Sequence, residues 1–323
     1  MVKEASLGIV AIGNALLDII AFVDSELPPS FGFHAGSTTH LSTAELLPIL
    51  QQLESPFFSA GGGAANVARV AAQLGVKATL VGAVGDDPFG KRYRDDLEGQ
   101  GITALLSDSD KPTGLFCALI DQNGGKTILV APGAALEVTR MGDRIKAVSG
   151  DLLYFDGFVL HDRAFFLDCV RWAKARGMRV ALDLGASSLV ASMRAFLREA
   201  LPGLCDFVFA NEEEFLALMG TSVRKGLNDF AGEGCCVVVK LAERGALCAS
   251  GGQVFESPVR AVKPFDDTGA GDAFAGAFLA ARAQGMSVER CLRLANRIAE
   301  ESLGVAGGAM DSRRIRTALA SVN

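Results

Sequence analysis

The stretch DDTGAGDAFAGAF, Asp266–Phe278, joins a glycine turn, an acid and a run of small helix-forming residues. Gly269 and Gly271 reach backbone conformations closed to other residues, so successive N–H groups there can converge on one anion. A helix beginning near Gly271 adds its unsatisfied N–H groups and the positive end of its dipole at the same point. Asp272 then stands in the first turn, within reach of a hydroxyl approaching a bound phosphate. Aspartate at a helix start is also ordinary dipole compensation, and glycine before it is ordinary loop chemistry. Beside that structural reading stands a functional one: a phosphate cradle and a base, the elements of phosphoryl transfer to an alcohol.

Outward from that stretch, strand-like and helix-like runs alternate in the rhythm of a parallel sheet covered on both faces. Strands are expected at Gly8–Ile12, Ala78–Val84, Leu152–Phe155, Val180–Asp183, Phe207–Ala210 and Val237–Leu241. Helices are expected at Asn66–Leu74, Phe89–Gln100, Ala164–Arg176, Val190–Ala200, Glu212–Met219, Gly271–Gln284 and Val288–Ser302. Leu16–Ser42 and Thr103–Ala131 break the rhythm, the second with a QNGG turn that suggests a hairpin.

Half of the 323 residues are apolar and 21% are charged, enough for a large core. The net charge of −6 comes with no basic block, which argues against nucleic acid as a partner. Seven cysteines without a C-x-x-C, with Cys235 and Cys236 adjacent, read as reduced buried thiols. Asn14 and Asp18 interrupt the apolar stretch Leu7–Val23, so a buried strand is expected there rather than a signal peptide. No other uncharged apolar stretch reaches membrane-spanning length. A cytoplasmic protein without membrane contact is expected.

DTGAGDAFAGAF and SAGGGAANVARVAAQLG (Ser59–Gly75), about two hundred residues apart, resemble the two signatures of the PfkB, or ribokinase-like, family of sugar and nucleoside kinases. GAVGDDPFG (Gly82–Gly90) and NEEEF (Asn211–Phe215) resemble further family segments in the expected order. The resemblance implies one domain over residues 1–323, a three-layer α/β/α fold with a mostly parallel central sheet. Leu16–Ser42 and Thr103–Ala131 would form a small β-sheet lid. It implies ATP and magnesium, a sugar or ribonucleoside acceptor phosphorylated on a primary alcohol, and homodimerisation as an option. GNALLDI (Gly13–Ile19) resembles the adenosine-kinase-like branch more than ribokinase proper.

By the same resemblance Asp272 is the base, and Thr268, Gly269, Ala270 and Gly271 supply the anion hole through backbone amides. Asp18, Gly62, Gly63 and Asn66 would meet acceptor hydroxyls; Asn66 could also cap the helix after it. Asn211 and Glu214 match an N-x-x-E pattern after the strand FVFA, with Glu214 organising magnesium through water. Lys240, Glu243 and Gly245 would stand near the nucleotide, though Ala242 replaces a usual glycine and Lys240 a frequent threonine. Asn296, Ala299 and Gly307 would flank the adenine or its ribose, with a surface position for Asn296 as the other reading. Asp267 either caps its own turn or faces a cation, and the loop Val305–Met310 resembles one that holds a monovalent ion such as potassium in some members.

Two motif matches fail on physical grounds. Gly85–Lys91 fits G-x-x-x-x-G-K, but Arg92 replaces the hydroxyl residue and Asp86 and Asp87 would repel phosphate. Gly269-Ala-Gly271 is half a dinucleotide fingerprint, with Phe274 where a small residue belongs and Pro264 disturbing the preceding strand. His34, His40 and His161 accompany no nucleophile motif and read as exposed or hydrogen-bonded structural residues. A nucleobase slot could come from Phe22, Phe31, Phe33 or Phe116, although core packing is the commoner fate of phenylalanine. The alternative function is a non-catalytic sugar- or nucleotide-binding relative, against which Asp272 speaks.

Overall fold

The computed structural model describes residues 8–230, 234–260, 266–305, 310 and 312–322. In chain order the strands are β1 Gly8–Ile12, β2 Leu16–Val23, β3 Thr38–His40, β4 Phe57–Gly61, β5 Lys77–Gly85, β6 Thr103–Ser109, β7 Gly114–Asp121, β8 Lys126–Ala131, β9 Leu152–Phe155, β10 Arg179–Asp183, β11 Phe207–Asn211, β12 Cys236–Lys240, β13 Ala246–Ser250 and β14 Gln253–Ser257. The helices are α1 Leu27–Ser30, α2 Thr43–Leu50, α3 Gly63–Gln73, α4 Pro88–Gly99, α5 Arg163–Ala175, α6 Ser187–Leu204, α7 Glu212–Met219, α8 Val223–Phe230, α9 Ala270–Ala283, α10 Val288–Ser302 and α11 Ser312–Ala320.

Nine strands form a large sheet in the order β14-β13-β12-β11-β10-β9-β1-β5-β6, parallel except where β13 and β14 turn back. Its central runs LLYF, VAL and FVFA are continuously apolar because both faces are covered. One apolar layer packs α3, α9 and α10 against the sheet through Val67, Phe278 and Leu292. The opposite layer packs α5 to α8 through Phe166, Leu197, Phe215 and Leu227. This is the three-layer α/β/α fold, with a second, five-stranded sheet in the order β3-β8-β7-β2-β4.

The expected strands and helices are present, most with ends shifted by a few residues, and Gly8–Ile12, Leu152–Phe155, Glu212–Met219 and Val288–Ser302 have the expected bounds. The stretch Leu7–Val23 holds two strands, not one: Gly13–Ala15 carries the chain from β1 in the large sheet to β2 in the small one. The expected second lid segment began too early. Thr103–Ser109 pairs in parallel with Thr79–Gly85 inside the large sheet, so only Gly114–Ala131 of that segment enters the small one. TALLSDS carries no alternation that would assign β6 to one sheet or the other. Phe57–Gly61, outside both expected segments, supplies the other edge of the small sheet by pairing with β2. Among the described residues no helix is long and apolar enough to cross a membrane, and the seven cysteines are buried and unbridged.

Helix α9 is buried almost all round, which its alanines and Gly276 permit. A Cβ on Gly276 would lie 2.8 Å from the Val67 carbonyl oxygen and 3.0 Å from Val70 Cβ, so α3 and α9 meet backbone to backbone. Gly276→Val is therefore expected to cost about 1–3 kcal/mol by overpacking. Urea denaturation measures this, and an unchanged midpoint would show that the helices are free to part.

Candidate active site

Four strands of the large sheet end in polar residues on the same side. Asp156 follows β9, Asp183 ends β10, Asn211 ends β11 and Lys240 ends β12. The carboxyl ends of parallel strands are where open α/β sheets bind ligands. Helix α9 brings its N-terminus to this side: Gly269 occupies the N-cap position at φ 76°, where a side chain would be strained, and Asp272 lies in the first turn. The Asp266 carboxylate holds the preceding turn by accepting from Thr268 N at 3.0 Å and Thr268 Oγ1 at 2.7 Å.

Asp272 is fixed across the α3–α9 contact. Asn66 Nδ2 donates to Asp272 Oδ2 at 3.0 Å, and Asn66 Oδ1 accepts from Arg69 Nη1 at 2.6 Å. Asn66 does not cap the helix, because α3 begins at Gly63 and the N-cap is Gly62. The φ of 89° at Gly62 closes that position to a side chain. A Cβ on Gly63 would sit 3.0 Å from Asp156 Oδ2 and 3.2 Å from Asp272 Oδ1, so two carboxylates converge on this piece of backbone.

Two cavities share the Gly269–Asp272 turn as a wall. One, of ≈ 430 Å³, is bounded by Gly269 and Asp272 together with Asp18, Gly62, Gly63 and Asn66, the residues expected to meet the acceptor. The other, of ≈ 320 Å³, is bounded by Ala270 and Gly271 with Lys240, Glu243, Gly245, Asn296 and Ala299, the residues expected near the nucleotide. Asp267 also lines the second cavity, and Thr268 lines the first rather than the second. Asn296 is a buried residue, not a surface one, and its Nδ2 donates to Ser257 O at 2.8 Å. Gly307 and most of the loop Val305–Met310 lie outside the described residues.

The charges in this region are buried and mutually dependent. Burial pushes the Asp18 carboxyl up to about 7, with Arg69 pulling it down and Asp272 pushing it up. Burial also raises Asp156 to about 7, against the N–H of Phe158 and with the charges of Asp272 and Asp183. Asp272 is raised by burial, with Asn66 lowering it and Asp183 raising it. Lys240 Nζ lies 2.7 Å from Asp183 Oδ2, and a Cβ on Gly271 would be 3.1 Å from the same nitrogen. Burial pulls Lys240 down, but Asp183 and Glu214 more than offset that and leave it raised.

Asn211 and Glu214 form a reciprocal capping box on α7, with Asn211 N and Nδ2 each donating to the Glu214 carboxylate at 2.8 Å. Burial, aided by Asp183, raises Glu214 above the ordinary range. Asp267 is exposed, and its carboxylate pairs with Lys126 Nζ at 3.2 Å. The cation facing Asp267 is thus a lysine of β8. Ala242, where a glycine is usual in the resembling family, has φ 51° and so takes a conformation that glycine adopts without strain.

Asp156, Asp183, Arg69, Lys126 and Phe158 were not singled out in the sequence. The signal for the first two was an acid at the end of an apolar strand. Of the phenylalanines considered for a nucleobase slot, Phe116 lines the cavity of Asp18 and Asn66, joined there by Phe158. His40 also lines that cavity, whereas His161 bonds the Phe158 carbonyl at 2.7 Å. The segment Gly85–Lys91 is a strand-to-helix turn, in which Asp87 caps α4 by accepting from Gly90 N at 2.8 Å.

The pfkB family of carbohydrate kinases matches residues 8–313. A fructokinase of Vibrio alginolyticus is 32% identical over 68% of this chain and 75% of its own. A nucleoside kinase of Methanothermobacter thermautotrophicus is 29% identical over 74% of this chain and 76% of its own. The solved adenosine kinase of Sinorhizobium meliloti superposes with a TM-score of 0.84 at 27% identity, covering 98% of this chain and 100% of its own. The chain belongs to the pfkB family of carbohydrate kinases.

Proposed function

We propose that the protein is an ATP-dependent kinase that phosphorylates the hydroxymethyl group of a neutral acceptor, a ribonucleoside in preference to a free sugar. The observation that carries this reading is the one turn, Gly269–Asp272, forming a wall of two cavities. ATP occupies the cavity of Lys240, Gly245, Asn296 and Ala299, and the acceptor occupies the cavity of Asp18 and Asn66. Asp272 accepts the proton of the attacking hydroxyl, the acceptor oxygen bonds to the γ-phosphorus, and ADP leaves. The amides of Thr268 to Gly271 stabilise charge that develops on the phosphoryl oxygens, which is where preorganised donors act most strongly. The small sheet supplies Asp18, Phe116 and Val130 to the acceptor cavity and serves as the lid that excludes water.

Among the described residues no group of three or more His, Cys, Asp or Glu converges to cage a metal. The buried oxygen donors Glu214 and Asp183 nonetheless suit magnesium, which keeps most of its waters and takes few protein ligands. Glu214 would hold that ion through water, and the ion would neutralise phosphate charge. Potassium fits less well at Asp267, where a lysine ammonium already stands. Unbridged thiols are consistent with a reducing compartment such as the cytoplasm.

The acceptor preference follows from the lining. Asp18, Asp156 and Asp272 line the cavity, and among the described lining residues there is no lysine or arginine. An acceptor already carrying a phosphate would meet carboxylates without a counter-ion. Phe116, Val130, Leu136 and Phe158 form an apolar wall suited to a nucleobase, with Leu136 45% and Phe158 48% exposed. Neutral ribonucleosides are expected to be the best acceptors in an ADP-release assay, with free sugars slower and sugar phosphates not turned over. Preferred turnover of a sugar phosphate would refute the acceptor assignment.

A further inference from the structure

A lysine of the small sheet reaches the turn that precedes α9. Lys126 opens β8 directly after the β7–β8 hairpin, and that hairpin is braced from within. The Asp121 carboxylate accepts from Asn123 N at 2.7 Å and Gly125 N at 2.8 Å, while Asp121 N donates to Gly125 O at 2.9 Å. The ammonium crosses from this corner to three consecutive residues of the turn. Its Nζ lies 2.7 Å from Asp266 Oδ1 and 3.2 Å from Asp267 Oδ1, and it donates to Thr268 Oγ1. The Asp266 side chain is 1% exposed, so its charge needs a partner, and the same Oδ1 also accepts from Thr268 N and Oγ1. One cation therefore gathers Asp266, Asp267 and Thr268 immediately before Gly269.

We propose that Lys126 is a positioning residue for phosphoryl transfer. Its ammonium fixes the aim of the Gly269–Gly271 amides and fills, from within the chain, the place of a free monovalent cation beside Asp267. Because the lysine belongs to the sheet over the acceptor cavity, the turn is fully braced only when that sheet is in place. Acceptor capture and order in the phosphate cradle are thereby coupled. The proposal rests on the reading of Gly269–Asp272 as cradle and base.

Steady-state kinetics of Lys126→Ala test it. We expect kcat to fall about 10- to 100-fold, the scale of a small misplacement of reacting groups, with KM for ATP little changed. Methylammonium or potassium should restore much of the lost rate in this variant and add nothing to the wild type. Lys126→Arg should retain more rate than the alanine variant. Melting temperatures separate this from unfolding: a rate loss matched by a lost folded fraction, or one that no added cation relieves, overturns the proposal. A wild-type kcat in Lys126→Ala also overturns it, and if Asp272→Asn is inactive in the same assay the base assignment survives that failure.

Discussion

Asp272→Asn is expected to lower kcat by about 10²–10⁴-fold, the range that a positioned general base contributes, while KM for ATP stays near its wild-type value. The substitution is nearly isosteric, and the Asn66 Nδ2 donor that now meets Asp272 Oδ2 can meet the amide oxygen instead. The α3–α9 contact therefore survives, and what is lost is the ability to take a proton. Burial is the main reason the Asp272 carboxyl titrates above the ordinary range, with Asn66 opposing it and Asp183 reinforcing it. A base with a raised pKa lies nearer the working pH and pulls harder on the hydroxyl proton. It is active only when ionised, so the wild-type rate should rise with pH through that pKa. ADP release and equilibrium ATP binding, measured together, separate the readings. A variant that binds ATP and phosphorylates the acceptor at the wild-type rate would remove Asp272 from the mechanism. Absence of turnover in the wild type with every neutral nucleoside and sugar would favour a binding protein that keeps the kinase fold.

The glycine turn before α9 was legible in the sequence because its backbone requirements are local. Gly269, Gly271 and Asp272 lie within four positions, and their backbone requirements do not depend on distant residues. The same holds for the capping box of Asn211 and Glu214, three residues apart. The carboxylates at strand ends were harder to read. Asp156 and Asp183 acquire meaning only when β9 and β10 lie side by side, with Phe155 opposite Leu182. Lys126 meets Asp266 across 140 residues of sequence, and no periodicity encodes that contact. The misplacement of Thr103–Ser109 has a related cause. The run TALLSDS has no alternation that tells one sheet from the other, and pairing with β5 decides. Ala242, which replaces a usual glycine, takes a left-handed conformation that its residue type did not signal.

Lys240→Met is expected to destabilise the protein by about 3–5 kcal/mol, as does removal of one partner from a buried ion pair. Lys240 Nζ and Asp183 Oδ2 are 2.7 Å apart with side chains only 16% and 9% exposed, so methionine would fill the space but strand the carboxylate. Glu214 would lose the same counter-charge, since Lys240 holds its carboxyl down against burial and Asp183. The pH dependence gives the sign. Asp18 and Asp156 rise from the ordinary 3.8 to about 7 on folding, so the native state binds more protons than the unfolded chain between those values. Stability from these groups is fully present below pH 4 and is lost as pH rises through about 7. In Lys240→Met, Glu214 loses the charge that lowers it and shifts further upward, so the deficit relative to wild type should be larger at pH 8 than at pH 5. Urea denaturation at the two pH values measures it. Equal deficits would mean that water or a bound ion, rather than the lysine, balances the strand-end carboxylates.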